Sequence, residues 1–123
     1  MSGTILIVDD HQHYRNSLRS LLAREPDLDV VGEAIDGADA CAQARELHPD
    51  VVLIDLVLPG FNGLVVTRRI LEDNPNARVL VLSMHVDARL IHAASEAGAR
   101  GLIDKAMMPA EVLQKIRDVA WDR

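Results

Sequence analysis

Aromatic residues, cysteine and long apolar runs are all scarce in this chain of 123 residues. The three aromatic residues, Tyr14, Phe61 and Trp121, are too few to build the stacking platforms that hold nucleic-acid bases. The single cysteine, Cys41, excludes an internal disulfide and a cysteine-based zinc site, and we expect it to be a small core residue. No apolar run approaches the roughly 18 residues of a membrane span, and no signal-peptide pattern opens the sequence. We therefore expect a cytoplasmic protein that does not contact a membrane.

Basic residues are outnumbered by acidic ones, 13 to 19, so the formal net charge is −6. An acidic surface repels the phosphates of nucleic acids and of anionic lipids, and we expect this domain to bind neither directly. The hydrophobic fraction of 49% and the charged fraction of 26% are ordinary for a folded protein. The length fits one domain, which we predict over residues 1–123.

Short apolar segments alternate with segments of helical periodicity five times along the chain. We predict strands at 5–8, 28–34, 51–54, 79–82 and 101–103. Three are continuous apolar runs, typical of strands buried on both faces, whereas 28–34 carries interleaved acidic residues and is predicted to be an edge strand. Parallel strands need crossover helices, so this order predicts an α/β protein with a doubly wound parallel sheet.

The spacing of apolar residues predicts which face of each helix is buried. The first helix places Tyr14 on the same face as Leu18, Leu21 and Leu22. Helices are also predicted near 37–47, 62–73 and 88–97, with a fifth opening at Pro109. We expect the buried faces to include Ala38, Cys41 and Ala42 in the second helix, Leu64, Val65, Thr67, Ile70 and Leu71 in the third, and Leu90, Ile91, Ala94 and Ala97 in the fourth.

Polar residues follow four of the predicted strands. They are Asp9 and Asp10 after the first, Asp55 at the end of the third, Ser83 at the end of the fourth and Lys105 after the fifth. Singly, these are ordinary helix caps, turn residues or solvated charges. Together they fall at the carboxyl ends of parallel strands, which meet at one edge of the sheet. Three converging carboxylates repel one another unless their pKa values rise or a cation binds, and an all-oxygen site with few protein ligands suits Mg²⁺.

At these residues the sequence resembles the receiver domain of two-component response regulators. The matching stretches are ILIVDDH at 5–11, PDVVLIDLVLPGFNG at 49–63, VLVLS at 79–83 and AGARGLIDK at 97–105. With the helices between them, they cover essentially the whole chain. VDDH and the GEAIDG of 32–37 look most like the NarL/FixJ (LuxR-type) branch, whose members usually carry a C-terminal helix-turn-helix DNA-binding domain. The resemblance implies a flavodoxin-like (βα)5 fold with strand order 2-1-3-4-5.

The resemblance also implies a role for each site residue. Asp55 is expected to accept a phosphoryl group from a phosphohistidine of a sensor histidine kinase or phosphotransfer protein. Lys105 and Ser83 are expected to contact the phosphoryl oxygens. The implied Mg²⁺ ligands are Asp10 and Asp55 directly, Asp9 through water, and the backbone carbonyl of Val57. The implied protein is a signalling switch that regulates transcription, with no enzymatic activity beyond its own phosphorylation and slow dephosphorylation.

Two positions depart from the usual pattern of that family. Leu102 stands where an aromatic residue usually couples to the hydroxyl residue, here Ser83, and Ala106 stands where proline is frequent. We expect the switch to involve Ser83 and Leu102, with weakened coupling. The implied self-association face, used by a homodimer on activation, lies on the fourth helix, fifth strand and fifth helix. It would include Arg89, His92, Leu102 and Lys115.

The residues leave several functions open besides that of an active receiver. His11 and His13 flank the acid pair and could be metal ligands, although hard Mg²⁺ prefers oxygen. A flavodoxin-type flavin binder shares the fold, but Asp9 and Asp10 would repel its phosphate. A haloacid-dehalogenase-like phosphatase would need an aspartate at the position of Val57. The strongest rival is a degenerate receiver that acts as a phosphorylation-independent interaction module. The chain ends just after the fifth helix, which fits a single-domain regulator or a domain followed by an output domain.

Overall fold

Five parallel strands form the central sheet of the computed structural model, which describes residues 3–121. The strands are β1 Gly3–Val8, β2 Leu28–Ala34, β3 Val51–Asp55, β4 Arg78–Ser83 and β5 Gly101–Asp104. The helices are α1 Gln12–Ala23, α2 Gly37–Leu47, α3 Gly63–Asp73, α4 Ala88–Glu96 and α5 Pro109–Ala120. A small antiparallel hairpin of Val57–Leu58 and Phe61–Asn62 lies between β3 and α3, where the sequence pattern predicts no strands.

The strand order of the sheet is 2-1-3-4-5, so the predicted topology is confirmed. β2 pairs with β1 alone among the described strands, which makes it the predicted edge strand. β1 pairs with both β2 and β3, and the order of the strands reverses at this point. Open α/β sheets bind ligands beyond the carboxyl ends of the strands at such a reversal. Val8 is in register with Ile54, so the residues that follow β1 and those that end β3 are neighbours.

Helices cover both faces of the sheet, and successive residues of β1 point to opposite faces. Leu6 and Val8 pack with α2, α3 and α4, whereas Ile5 and Ile7 pack with α1 and α5. All five residues of β3 are buried, as a central parallel strand requires. Cys41 is buried in the first of these two cores, and burial raises the pKa of its thiol. No helix within residues 3–121 is long and apolar enough to cross a membrane.

Three predictions about buried helix faces are wrong. In α2, Ala38 and Ala42 are exposed, and the buried alanines are instead Ala40 and Ala44. In α3, Val65 is exposed and its neighbour Val66 is buried. In α4, Ile91 is 55% exposed. In α2 and α3 the buried face is shifted by one or two positions, because adjacent apolar residues leave the helical phase undetermined.

The amino-terminal edge of the sheet, where the strands begin, is closed by paired charges. The guanidinium of Arg117 in α5 donates hydrogen bonds to both carboxylate oxygens of Asp27, at 2.9 and 3.0 Å, and to Glu25 at 2.6 Å. These hydrogen bonds raise the pKa of Arg117 and lower the pKa of Asp27. Nearby, the backbone amide and hydroxyl of Thr4 donate to one carboxylate oxygen of Asp50, at 2.8 and 3.1 Å. Glu25, Asp27 and Asp50 at this edge therefore all accept hydrogen bonds from neighbouring residues.

Candidate functional site

The carboxyl ends of four strands bring the polar residues singled out from the sequence to one edge of the sheet. Asp9 and Asp10 follow β1, Asp55 ends β3, Ser83 ends β4 and Lys105 follows β5. The backbone amide of Lys105 donates to the carbonyl of Ser83 at 2.8 Å, which extends the sheet pairing by one residue. Asp9, Asp55 and Ser83 are buried polar residues in a chain whose other charged groups lie mostly at the surface. This edge therefore concentrates buried carboxylate charge.

The ammonium of Lys105 lies between two buried carboxylates. Its Nζ atom is 2.7 Å from Oδ2 of Asp9 and 3.1 Å from Oδ2 of Asp55, and its side chain is 5% exposed. The same Nζ lies over the ring of Tyr14, 4.6 Å from the ring centroid. One positive charge is thus shared by two acids in a region that water scarcely reaches.

The two buried carboxylates titrate in opposite directions. Burial raises the pKa of Asp9, but hydrogen bonds from Lys105 and from the amide of His11 outweigh it, so the pKa is lowered from 3.8. Burial raises the pKa of Asp55, and the charge of Asp9 raises it further, against the opposing effects of the Val57 amide and Lys105. Asp55 is therefore the carboxylate whose charge the fold compensates least.

The imidazole of His11 lies among the carboxylates, whereas His13 does not. Nδ1 of His11 is 2.9 Å from Oδ1 of Asp9 and 3.4 Å from both Asp10 and Asp55. The hydrogen bond to Asp9 raises the pKa of His11. His11 also occupies the N-cap position of α1, so neither aspartate of the acid pair caps that helix. The structure thereby separates two histidines that the sequence treated alike.

Ser83 and Val57 flank the cluster in different ways. The hydroxyl of Ser83 donates to the carbonyl of His85 at 2.7 Å and accepts from the amide of His85 at 3.2 Å. Ser83 thus has the contacts of a turn residue here. The amide of Val57 donates to Oδ1 of Asp55 at 3.2 Å, and its side chain is 68% exposed. The metal-binding role of the Val57 carbonyl stays a prediction.

The donor set suits a hard divalent cation. Candidate ligand atoms of Asp9, Asp10, His11 and Asp55 lie within 4.8 Å of one another. Three carboxylates share this space with the single ammonium of Lys105, so negative charge is in excess unless a further cation enters. Carboxylate oxygens are the ligands that Mg²⁺ prefers. The residues present therefore fit Mg²⁺ bound by the acid pair and Asp55.

Two helix residues that the sequence analysis did not assign to the site support it from α1. Arg15 donates to the backbone carbonyl of Asp9 at 2.8 Å, and its Nε lies 3.4 Å from Glu33 of β2. Glu33 is also bound by Arg19 at 2.7 Å. Tyr14, predicted only as part of a buried helix face, contacts Lys105. Neither Arg15 nor Tyr14 lies at the end of a strand. The other site residues were predicted from their positions at strand ends, so the same reasoning could not identify these two.

The loop after Asp55 is held close by a glycine. The amide of Gly63 donates to the carbonyl of Leu56 at 2.7 Å. A Cβ atom at Gly63 would lie 2.2 Å from the carbonyl oxygen of Asp55 and 2.9 Å from Cα of Leu56. Only glycine allows α3 to begin this near to the end of β3, and Gly60, with φ of 72°, forms the turn of the hairpin.

The predicted self-association face needs one correction. Leu102 is 6% exposed and belongs to the core. It lies at the floor of a groove of about 560 Å³ between α4, β5 and α5, which Ile91 and Lys115 also line. Arg89, His92 and Lys115 are exposed, as predicted. Leu102 can therefore contribute to that face only from beneath.

A doubly wound sheet with an acid pair, a central aspartate and a lysine at its carboxyl edge defines a receiver domain of response regulators. The chain belongs to this family: the family profile, described as response regulator receiver domain, matches residues 5–117. The chain is 36% identical over 113 residues to the transcriptional regulatory protein LiaR of Bacillus subtilis, covering 92% of the chain and 54% of LiaR. It is 35% identical over 118 residues to the nitrate/nitrite response regulator NarL of Escherichia coli K12, covering 96% of the chain and 55% of NarL.

Solved structures agree with these relatives. A two-component response regulator of the LuxR family from Aurantimonas superposes with a TM-score of 0.93 at 39% identity, over 98% of this chain and 86% of that one. The response regulator domain of Thermotoga maritima CheB superposes with a TM-score of 0.90 at 29% identity, over 100% and 99%. The predicted LuxR/NarL-type branch is thus confirmed. The chain spans about half the length of the curated relatives it matches.

Proposed function

We propose that this domain is a phosphorylation-activated switch whose phosphoacceptor is Asp55. The observation that carries the proposal is the placement of the Asp55 carboxylate, 4% exposed, within 3.1 Å of the Lys105 ammonium and beside two further acids. The donor would be a phosphohistidine of a sensor histidine kinase or a phosphotransfer protein. The reaction depends on Mg²⁺, which the acid pair, Asp55 and the Val57 carbonyl would hold.

The chemistry is an in-line phosphoryl transfer. An oxygen of Asp55 attacks the phosphorus, a P–O bond forms, and the P–N bond to the donor imidazole breaks, leaving its electron pair on the nitrogen. Lys105 pairs with the phosphoryl oxygens and Ser83 donates a hydrogen bond to one of them, so that charge is neutralised as it spreads. Mg²⁺, held by the acid pair and Asp55, would supply further positive charge. Water later attacks the phosphorus, releasing phosphate and restoring Asp55; the domain does no other catalysis.

The output of the switch is a change of interaction surface. Ser83 must leave the carbonyl of His85 to reach a phosphoryl group, and Leu102 is the residue that we expect to respond to its movement. Leu102 lacks an aromatic ring and a polar tip, so we expect weaker coupling to the α4–β5–α5 face than in relatives with an aromatic residue. Activation would favour a homodimer through that face.

We further propose that residues 1–123 form one receiver domain of a longer cytoplasmic transcription regulator. The relatives LiaR and NarL are regulators of about twice the matched length. A downstream DNA-binding domain would then supply the nucleic-acid contacts, since this domain has a net charge of −6.

Labelling with acetyl phosphate tests the phosphoacceptor. Wild-type protein with Mg²⁺ should gain one phosphate that is labile to hydroxylamine, as acyl phosphates are. Asp55→Asn should gain none, because an amide is not a usable nucleophile. Asp104→Asn is the matched control, an acid at the end of β5 outside the cluster, and should label normally. Full labelling of Asp55→Asn would place the acceptor elsewhere, with His11 and His13 as the next residues to replace.

The same experiment separates the switch from its strongest rival, a phosphorylation-independent interaction module. Leu102 and Ala106 depart from the usual switch residues, and this departure is what supports such a module as the rival. An interaction module of this kind predicts no labelling of the wild-type protein and no NMR shifts at 9–11 and 55–57 in millimolar Mg²⁺. Shifts at these residues together with labelling of Asp55 would contradict it.

A further inference from the structure

The ammonium of Lys105 has three close neighbours. Two are carboxylate oxygens, Oδ2 of Asp9 and Oδ2 of Asp55. The third is the face of the Tyr14 ring, whose centroid is 4.6 Å from Nζ. Because the Lys105 side chain is 5% exposed, water has little access to Nζ.

An aromatic face attracts a cation through its quadrupole, and the attraction is strongest where water is excluded. The ring of Tyr14 is itself held in place, since Tyr14 packs against the core that α1 forms with α5. Leu18 and Leu22, on the same helical face, are buried in that core. The position of the ring is thus fixed by packing. The lysine side chain has a flexible four-carbon stem, and contact with the ring restricts its conformers.

We propose that Tyr14 is a positioning residue that holds the Lys105 ammonium between Asp9 and Asp55, where an incoming phosphoryl oxygen would meet it. The inference rests on the proposed function for its consequence, but the contact itself does not. Without the ring, the lysine stem gains conformers that place Nζ away from Asp55, and phosphoryl transfer slows.

The ring face, and not the hydroxyl, carries this role. The Tyr14 hydroxyl makes no hydrogen bond to any residue within the described range 3–121. Burial and the negative charges of Asp9, Asp55 and Asp104 raise the pKa of Tyr14 to about 12, so the phenol stays neutral at physiological pH. Removing the hydroxyl alone should therefore change little, and removing the ring should change the position of the lysine.

NMR of the lysine side chain tests the contact directly. The ring current of Tyr14 should shift the ε-methylene protons of Lys105 upfield of those of an exposed lysine. Tyr14→Phe should keep this shift, and Tyr14→Leu should abolish it. Tyr14→Met gives a second ringless variant should the leucine variant fold poorly. Leu21→Ala is the packing control, because Leu21 lies against the same core without contacting Lys105, and it should keep the shift.

Phosphorylation kinetics test the consequence. At saturating acetyl phosphate and Mg²⁺, Tyr14→Leu and Tyr14→Met should react about five- to tenfold more slowly than the wild type, with Tyr14→Phe within about twofold. The half-saturating Mg²⁺ concentration should change less than about twofold, because Tyr14 is not one of the candidate metal ligands. A purely structural role would instead impair Mg²⁺ binding and rate together.

Two results would overturn the proposal: an unchanged lysine shift and rate in both ringless variants, or an equal loss in Tyr14→Phe. Failure of the proposed function is distinguishable from both. A wild-type protein that takes up no phosphate on Asp55 would disprove the phosphoacceptor, while the lysine shift would still decide whether Tyr14 holds Lys105.

Discussion

The two edges of the sheet differ in how their acidic side chains are paired and buried. At the amino-terminal edge, Arg117 binds Glu25 and Asp27 at the surface, and one arginine there satisfies two acids. At the carboxyl edge, Asp9 and Asp55 are buried and share Lys105. The first arrangement stabilises the fold modestly, and its acids are already paired with Arg117. The second leaves negative charge uncompensated, which costs stability and suits a bound cation.

The candidate site therefore lies at the edge where charge is compensated less well. Buried like charges are expensive to hold, and they persist where surrounding structure forces them together. Here the packing of β1 and β3 holds the acids together, because the buried apolar residues of these strands fix the strand ends in register. The contrast between the edges predicts how substitutions at each should behave.

The largest difference in stability between the edges is expected when one glycine at each edge is replaced by alanine. Gly63→Ala should destabilise the protein by more than about 3 kcal/mol, because its Cβ would lie 2.2 Å from the Asp55 carbonyl oxygen. Gly3→Ala, at the opposite edge, should change stability by less than about 1 kcal/mol, since its nearest contact would be 3.5 Å. Urea unfolding of both variants measures this. Equal stability of the two would mean that the loop after Asp55 can move away.

The second effect concerns the buried acids and pH in metal-free buffer. The pKa of Asp55 is raised from 3.8, so protonation of Asp55 stabilises the fold fully below pH 3.8, and this contribution is lost as pH rises through the raised pKa. Asp55→Asn should therefore have the higher thermal midpoint at pH 7, with the difference closing towards pH 3.8.

Asp9→Asn is the matched comparison and should have the opposite sign. The pKa of Asp9 is lowered, so its ionised form stabilises the fold above pH 3.8, and this contribution is lost as pH falls through the lowered pKa. The variant should thus melt below the wild type at pH 7. Thermal melts over a pH series check both, and the same sign for both variants would show that the two acids share Lys105 equally.

A smaller effect is expected at the amino-terminal edge. Arg117→Met should lower the thermal midpoint at low ionic strength, because Glu25 and Asp27 lose their partner. Salt should reduce the difference, since exposed charges are screened. Arg24→Met, an exposed arginine with no ion pair among residues 3–121, should melt like the wild type. A loss at Arg117 that persists in high salt would indicate packing of the arginine stem instead.

The smallest effect is expected at the switch. With beryllofluoride, a phosphoryl mimic, amide shifts should be large at 55–57 and 83–85 and small at Arg89, His92 and Lys115, because we expect Leu102 to couple them weakly. Leu102→Tyr should extend the shifts across 86–105. Sedimentation gives the oligomeric state alongside. Large shifts over 86–105 and a monomer-to-dimer transition in the wild type would show that leucine transmits the signal as well as an aromatic residue.

The sheet was predictable because its strands are bounded apolar runs, but the buried faces of the helices were only partly so. Neighbouring alanines in α2 contribute too little apolar area to mark a phase, so Ala38 and Ala42 were mistaken for Ala40 and Ala44. Val65 and Val66 are equally apolar, and only packing on the sheet selects the second. The hairpin around Gly60 has strands of two residues, shorter than any periodic signal.

The residues of the candidate site were likewise only partly predictable from the sequence. Strand ends of a parallel sheet converge whatever their side chains, so Asp9, Asp55 and Lys105 could be placed together from their positions alone. Arg15 and Tyr14 reach the site from the side of a helix, and their contacts depend on the angle at which α1 packs. The separation of His11 from His13 likewise depends on the course of the loop that begins α1.

The anchoring of α5 decides where any following segment would leave the domain. Arg117 ties the last turns of α5 to the start of β2, and Ala120 lies against Gly3, where β1 begins. Asp55 lies at the far end of β3, a strand of five residues that spans about 17 Å. A segment that continued from α5 would therefore leave the domain on the side opposite Asp55. If Asp55 is the phosphoacceptor, as we propose, that segment would start about one strand length, roughly 17 Å, from the phosphoryl group.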